Sequence, residues 1–322
     1  MTQFNKLIQC INQYSRFVIL MHERPDGDTI ACSLAFAEVL EQLGKSVVCV
    51  CKDAIPKPFQ FLEGSKQIQS DFLSGDYEVM IVLDCGDLRR TGFPARVREF
   101  ASKQGTVIHI DHHQKSDLYK LANLRIFDPQ AAATGEILFR LFNLLPVTIT
   151  PSIATCLLTS LYYDTGAFKH ANTGDTVLKI AAQLLHLGAR LKDITEHVEL
   201  TKSVPMLKLW GIALARSKRH PKYCLVSSLI TRQDIADCGA CDEDVAGIVN
   251  LLNTVPGSRA AMLLYESKDG QLHGSLRTEQ SNVDVSALAS VLGGGGLRKA
   301  SGFSLPGKIV MTGTDWHVKL GY

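Results

Sequence analysis

Short, continuously apolar segments alternate with longer segments of helical periodicity in the first half of the chain. The apolar segments are typical of strands buried on both faces and span residues 17–21, 47–51, 79–83 and 107–110. Helical spacing covers residues 4–14, 29–43, 131–145 and 151–163. Strands that alternate with helices in this way predict a doubly wound, parallel α/β sheet.

The pattern changes in the second half. Residues 175–218 have helical periodicity without a clear strand. Beyond residue 222, strands are predicted over 223–230, 260–266, 272–277, 308–312 and 317–320, with helices over 242–253 and 284–292. We therefore predict an α/β protein in three parts: a first domain over residues 1–186, a helical connector over 187–218, and a smaller α/β domain over 219–322.

Composition and charge narrow the class of protein. The 322 residues are 46% hydrophobic and carry a net charge of +2, so no overall field favours long nucleic acids or membrane surfaces. Nine cysteines, several within apolar segments, indicate reduced thiols and not a disulfide framework. The N-terminal segment lacks the apolar core of a signal peptide, and no apolar stretch is long enough to span a membrane. We expect a soluble, cytoplasmic protein.

Acidic and imidazole side chains follow three of the predicted strands and one predicted helix. In chain order they are His22, Asp26, Asp28, Asp84, Asp111, His112, His113 and Asp164. The carboxyl ends of the strands are where a doubly wound sheet presents its ligand site. Four aspartates brought together there would repel one another unless cations lay among them. Singly, Asp28 fits a helix cap, Asp84 a turn and His113 a core position. Their coincidence in one domain favours a metal site.

The chemistry of these ligands indicates which ion. Carboxylates with few imidazoles favour a hard divalent cation such as Mn²⁺ over a thiolate-bound zinc. A pair of such ions is the usual arrangement for activating water in the hydrolysis of phosphate esters. We expect two Mn²⁺ ions, with Mg²⁺ or Co²⁺ as alternatives.

Four segments, in this order, resemble the motifs of the DHH phosphoesterase superfamily: HERPDGD, the segment around Asp84, IDHH and DTGAFKHANT. The second half resembles the substrate-binding domain associated with that superfamily, through SLRT, VDVSALASVLGGGG and KASG. The layout is most similar to bacterial nano-RNases, which are oligoribonucleases that also dephosphorylate 3′-phosphoadenosine 5′-phosphate. The resemblance implies a DHH catalytic domain over residues 1–186 and a substrate-binding domain over 219–322.

The resemblance implies a role for each candidate residue. One metal would be bound by His22, Asp26 and Asp84. The other would be bound by Asp28, Asp84, His112 and Asp164, so that Asp84 bridges the two. His113 would contact the scissile phosphate or protonate the leaving oxygen, and Asp111 would orient an imidazole. The substrate would contact Lys169, Thr173, Arg277, Gly294, Gly295, Gly296 and Arg298.

The implied activity is hydrolysis of short RNA oligonucleotides or nucleotides, with no membrane partner and with a homodimer as the expected oligomer. Three positions depart from the family pattern: Leu297 replaces a histidine, Ala31-Cys32 replaces Gly-Ser, and Lys169 replaces an arginine. Leucine forms no side-chain hydrogen bond, which puts the choice of substrate in doubt. The alternatives are an inorganic pyrophosphatase and a nucleotide-binding protein whose catalysis has lapsed.

Overall fold

A computed structural model describes residues 2–103, 105–113, 117–198, 202–312 and 315–320. The chain divides into two compact units, Met1–Thr201 and Lys202–Tyr322. Helices of the predicted connector fall in both units, Leu191–Val198 in the first and Val204–Ala215 in the second. Our boundaries at residues 186 and 218 stay a prediction.

The first unit alternates strands and helices along the chain. Its strands are β1 (Arg16–Leu20), β2 (Ser46–Val50), β3 (Val79–Leu83), β4 (Thr106–Asp111) and β5 (Leu124–Phe127). Its helices are α1 (Gln3–Gln13), α2 (Gly27–Gln42), α3 (Pro94–Ser102), α4 (Asp117–Leu121), α5 (Thr134–Phe142), α6 (Pro151–Asp164), α7 (Asp175–His186) and α8 (Leu191–Val198). Short 3₁₀ turns lie at residues 57–59, 65–67, 74–76 and 89–91.

Among the described residues of this unit, the strands form one parallel sheet in the order β2-β1-β3-β4-β5. The predicted doubly wound parallel sheet is confirmed. From β1 the strands are added to one side as β2 and to the other side as β3, β4 and β5. This change of side between β1 and β3 opens a crevice at the carboxyl ends of the strands. Side chains that follow β1, β3 and β4 therefore meet at this crevice.

The apolar strands reflect burial on both faces of the sheet. In β1, Phe17 and Ile19 pack in one hydrophobic core, while Val18 and Leu20 pack in another on the opposite face. Successive side chains of a strand point to opposite faces, so a strand covered on both sides needs apolar residues throughout. This is why the central strands were predictable from periodicity.

Helices α3 and α4 were not predicted, and two further elements of the first unit also differ from prediction. Strand β5 was missed because it lies at the sheet edge, where buried and half-buried positions alternate and no continuous apolar segment arises. The helix predicted over 131–145 covers only Thr134–Phe142. Ala133 is fully extended, with φ −158° and ψ 160°, and residues 129–133 form turns and bends before the helix begins at Thr134.

The second unit is built on a mixed sheet. Its strands are β6 (Lys218–His220), β7 (Leu225–Ile230), β8 (Ala260–Glu266), β9 (Gln271–Arg277), β10 (Gly295–Gly296), β11 (Ala300–Thr312) and β12 (Asp315–Leu320). Its helices are α9 (Val204–Ala215), α10 (Arg232–Asp237), α11 (Ile248–Leu252) and α12 (Val285–Val291).

The described strands of this unit run in the order β10-β11-β9-β8-β7-β6, with β12 paired to β11. Only the β7–β8 pair is parallel among them. The helix predicted over 242–253 is interrupted, because Gly247 has a φ of +87° between a 3₁₀ turn and α11. No helix in the described ranges of either unit is long and apolar enough to cross a membrane.

Helices α5 and α6 approach closely at Gly135, and this contact gives a test of the packing. A Cβ at position 135 would lie 2.1 Å from Ser160 Oγ, in a fully buried environment. We expect Gly135→Ala to lower the free energy of unfolding by about 1–3 kcal/mol, because the helices must separate to admit the methyl group. Urea denaturation of the metal-free protein measures this change.

The matched control is Gly211→Ala in α9. A Cβ at position 211 meets no atom within 4 Å. Alanine is favoured over glycine in a helix by up to about 1 kcal/mol, so this variant should be as stable as the parent or more stable. Equal destabilisation by both substitutions would contradict the packing argument.

Candidate metal centre

The candidate ligands in the first unit converge at the carboxyl ends of the strands. His22, Asp26 and Asp28 follow β1, Asp84 follows β3, and His112 follows β4. Asp164 is the last residue of α6. Asp26 caps α2 by accepting hydrogen bonds from the amides of Asp28 and Thr29, at 3.1 and 3.3 Å. The helix cap is therefore Asp26, and Asp28 lies inside the first turn.

Asp84 is held in a backbone conformation that non-glycine residues rarely adopt. Its φ is +52°, and its amide donates to the carbonyl oxygen of Ile110 at 3.0 Å. Such strain persists only where the surrounding structure enforces it, and it concentrates at functional sites. The result is that Asp84 Oδ2 lies 3.9 Å from His22 Nε2 while Oδ1 lies 3.6 Å from His112 Nε2.

Two groups of potential ligand atoms surround Asp84. His22, Asp26 and Asp84 each offer one atom within 4.8 Å of the others, as do Asp28, His112 and Asp164. A further grouping joins Asp84 to Asp111, His112 and His113. The first two groups correspond to the two ligand sets that the resemblance implies. Asp84 belongs to one of them and lies beside the other.

His112 provides the test of whether these residues suit a cation. Its Nε2 is buried and has no hydrogen-bond partner, although Asp164 Oδ2 is 3.1 Å away and Asp28 Oδ2 is 3.8 Å away. Its Nδ1 lies 3.2 Å from the carbonyl oxygen of Ala131 and can donate to it. This contact uses the Nδ1 proton, so loss of the proton from Nε2 frees that nitrogen to bind a cation among the carboxylates, as in metal-bound histidines. The residues therefore fit a divalent cation.

His22 has the same arrangement. Its Nδ1 lies 2.8 Å from the carbonyl oxygen of Glu23, so Nδ1 can donate and leave Nε2 facing Asp26 at 3.7 Å. The guanidinium of Arg90, which can only donate, lies 3.0 Å from the same Nδ1, so this nitrogen either donates to Glu23 or accepts from Arg90. Arg90 adds a cation at the rim of the site. Sequence reasoning missed it, although it follows Asp84 closely in the chain.

Asp28 is held by donors that the sequence did not indicate. Ser160 Oγ donates to Oδ1 at 2.5 Å, and the amide of Thr134 donates to Oδ2 at 2.8 Å. The thiol of Cys32 lies 3.0 Å from Oδ1. Ser160 lies one helical turn before Asp164 on α6, a spacing that could have revealed it. Thr134 had no such signal, since its contact with Asp28 arises only on folding.

Burial and crowding shift the protonation of the carboxylates in the metal-free site. Burial raises the pKa of Asp28 well above its ordinary value, and Asp84 and Asp164 raise it further. Burial also raises the pKa of Asp164 to about 6, against the influence of His112. Burial opposes charge on Asp84, but His112 and His113 lower its pKa to about 2. Without metal cations, protons bound to these carboxyl groups therefore neutralise part of the negative charge of the site.

His113 and Asp111 form a separate hydrogen-bonded pair. His113 Nδ1 lies 2.8 Å from Asp111 Oδ1, and the amide of His113 donates to the same oxygen at 3.0 Å. Asp111 Oδ2 is 3.2 Å from His109 Nε2. Burial favours the neutral acid, yet His109 and His113 hold the pKa of Asp111 well below its ordinary range. The carboxylate thus fixes the ring of His113, whose side chain is 30% exposed.

The segment after Asp164 returns to the site through Asn172. Its side-chain amide donates to the carbonyl oxygens of Ala132 and Asp164, both at 3.2 Å. Lys169 is exposed in this segment, and Thr173 has a buried hydroxyl without a hydrogen-bond partner. Their proposed contact with substrate stays a prediction.

The other predicted substrate residues belong to the second unit. Arg277 ends β9, where its Nε donates to Asn250 Oδ1 at 3.1 Å. Gly294 and Gly296 are required by packing, since a Cβ would lie 2.1 Å from the carbonyl oxygen of Gly302 or 2.7 Å from that of Ala300. Gly295 lies in β10, and Arg298 is exposed in the turn that leads to β11. Their role in substrate binding also stays a prediction.

Comparisons with known proteins agree with this geometry. The N-terminal domain of the DHH family matches residues 16–161. The bifunctional oligoribonuclease and PAP phosphatase NrnA of Thermus thermophilus is 32% identical, over 90% of this chain and 84% of that protein. The protein of the same name from Mycoplasma genitalium is 26% identical over 94% and 92%. An exopolyphosphatase-related protein from Bacteroides fragilis superposes with a TM-score of 0.87 at 26% identity, covering 94% and 90%.

The fold and the clustered acids and imidazoles define a hydrolase of the phosphoesterase class, with groups placed to hold metal. The chain belongs to the DHH family. The resemblance drawn from the four sequence motifs is therefore confirmed.

Ser160 gives the first test of the metal centre. We expect Ser160→Ala to weaken Mn²⁺ binding about 10- to 100-fold, because Asp28 loses the donor that orients it. Calorimetric titration of the metal-free protein measures the affinity. The control is Thr159→Val, which removes a neighbouring buried hydroxyl that donates to the carbonyl oxygen of Thr155 at 2.8 Å. Unchanged affinity in Ser160→Ala would remove Asp28 from the proposed ligands.

The protonation of the site predicts how metal affinity depends on pH. A raised carboxyl pKa means that protons compete with the cation as pH falls, so Mn²⁺ affinity should drop between about pH 7.5 and 5.5 as Asp164 is protonated. Asp164 and Asp84 raise the pKa of His112 to about 12 against burial, so binding at neutral pH should also release a proton. Titrations in buffers of different ionisation enthalpy measure both effects. A Mn²⁺ affinity that does not change with pH would contradict the assignment of Asp164 as a metal ligand.

Proposed function

We propose that the protein is a manganese-dependent phosphodiesterase and phosphatase. Its substrates are RNA oligonucleotides of about two to five residues, including linear dinucleotides, which it hydrolyses to mononucleotides by attack of activated water. It also converts 3′-phosphoadenosine 5′-phosphate to AMP. The names of the relatives from Thermus and Mycoplasma, oligoribonuclease and PAP phosphatase, support this choice of substrates.

The observation that carries the proposal is the position of Asp84 between two ligand groups. His22 and Asp26 lie on one side of its carboxylate, and His112 lies on the other. Two divalent cations, when bound by these groups, would lower the pKa of water and neutralise charge on the phosphate. Carboxylates dominate both groups, with one imidazole in each, which is why we propose Mn²⁺.

His113 is proposed to supply the proton for the leaving oxygen. Burial opposes charge on its ring, but hydrogen bonds to Asp111 and Asp84 raise the pKa of His113 to about 10. Both ring nitrogens of His113 therefore carry a proton at neutral pH. Because Nδ1 donates to Asp111, Nε2 is the nitrogen left to act as a general acid. Arg90 and Lys169 lie at exposed positions of the same unit, where a cation can hold a phosphate oxygen.

A substrate panel tests the proposal. Wild-type protein with Mn²⁺ is incubated with a diribonucleotide, a short RNA, 3′-phosphoadenosine 5′-phosphate, inorganic pyrophosphate and long single-stranded DNA. We expect mononucleotides from the short RNAs and AMP from the 3′-phosphorylated nucleotide. Asp84→Asn should lower kcat by about 100-fold or more, because one ligand group loses a carboxylate and the other loses the charge beside it. Product formation is measured by chromatography.

The other outcomes assign the alternatives. Hydrolysis confined to pyrophosphate would make the protein a pyrophosphatase. Metal binding without hydrolysis of any substrate would favour a nucleotide-binding protein with lapsed catalysis. Leu297, which is half exposed, replaces the family histidine. A substrate preference that differs from that of the relatives would therefore point to this position. Equal rates for Asp84→Asn and wild type would exclude Asp84 from the chemistry.

A further inference from the structure

One end of the mixed sheet in the second unit collects basic residues from separate strands. Strand β9 ends at Arg277, which pairs with Ala261 in β8 and with Ala300 at the start of β11. Strand β7 begins opposite Ala260, and β6 ends opposite the start of β7. The residues just outside or at these ends include Arg219, Lys222, Arg259, Arg277 and Lys299. We refer to these five residues and Tyr223 as the basic edge.

Hydrogen bonds tie the connecting segments of the basic edge side by side. The amide of Arg259 donates to the carbonyl oxygen of Cys224 at 2.7 Å. Thr278 Oγ1 donates to the carbonyl oxygen of Arg259 at 2.6 Å. The amide of Thr278 donates to the carbonyl oxygen of Lys299 at 3.0 Å. The sheet itself thus spaces Arg259, Arg277 and Lys299, while Lys222 and Tyr223 lie in the turn between β6 and β7.

Few acids oppose these charges. Residues 216–233 and 245–265, which supply three of the basic side chains, contain no aspartate or glutamate. At the other side of the edge, Lys299 lies 3.5 Å from Glu279. A row of cations with so few neighbouring acids attracts a chain of negative charges.

An aromatic ring accompanies the cations. Tyr223 is 64% exposed, and the ammonium of Lys222 lies 5.2 Å from the centre of its ring. An exposed ring beside basic side chains is the combination that binds single-stranded nucleic acids, with bases stacked on the ring and phosphates held by the cations.

We infer that the basic edge binds the backbone of single-stranded RNA and sets the RNA length beyond which affinity no longer rises. The inference rests on the proposed function and adds Arg219, Lys222, Tyr223 and Arg259 to the predicted Arg277 as contacts for nucleic acid. Five adjacent strands spaced by about 4.8 Å give the edge a length of roughly 19 Å. At about 3.4 Å per stacked nucleotide, it accommodates roughly six nucleotides.

The test measures binding of labelled RNAs to the intact protein with EDTA present, so that no hydrolysis occurs. Fluorescence anisotropy is recorded for RNAs of about 2, 4, 6 and 12 nucleotides. Affinity should rise with length up to about six nucleotides and then level off. Tyr223→Ala should weaken binding of the longer RNAs about tenfold, while Tyr223→Phe restores it.

Charge is tested by the double variant Arg219→Gln, Lys222→Gln. The slope of log affinity against log salt concentration should become shallower by about 1.4, since each of the two lost phosphate contacts on a single strand contributes about 0.7. The matched control is Lys268→Gln, an exposed lysine in the β8–β9 turn at the opposite end of the same sheet. This control should leave the slope unchanged.

Two results would overturn the inference: equal affinity of the wild-type protein for all RNA lengths, or equal weakening by the control variant. Retention on phosphatidylserine vesicles without length-dependent RNA binding would assign the edge to a lipid surface and overturn it as well. Hydrolysis of a diribonucleotide with Mn²⁺ is measured on the same preparation. Activity with a flat length profile refutes only the basic edge, whereas length-dependent binding without activity refutes only the proposed function.

Discussion

Buried negative charge is the constraint on which the first unit depends. Asp28 and Asp84 are almost completely removed from solvent, and Asp164 lies beside them. Carboxylates in so small a volume repel one another and lose their hydration, so the folded chain must supply compensation. The structure does so with the amide of Thr134, the hydroxyl of Ser160 and the imidazole of His112. The remaining charge is what divalent cations are suited to balance.

The parallel sheet stabilises the fold enough to hold these acids close together. Its central strands are apolar on both faces and pack into two separate cores, which provide a rigid base. The reversal of strand order between β1 and β3 opens the crevice where residues from three strand ends of this unit meet. Asp84 stands at this point in a left-handed conformation, and its amide bond to Ile110 of the neighbouring strand helps to enforce it.

The second unit uses strand ends in the same way with charge of the opposite sign. A sheet brings residues distant in sequence within about 5 Å at each strand step, so single basic residues from separate strands become a row. The net charge of +2 conceals this row, because acids elsewhere in the chain cancel it in the sum. One unit thus concentrates acids that suit cations, and the other concentrates cations that suit phosphates.

The sequence by itself determined the central strands, the parallel sheet and the identity of the clustered acids and histidines. Burial on both faces leaves a continuous apolar pattern, and costly polar residues directly after such strands stand out against it. Tertiary structure alone decided the edge strand β5, the contact of Thr134 with Asp28, and the alignment of basic residues at the strand ends of the second unit. These depend on contacts between residues far apart in the chain, and no local periodicity records such contacts.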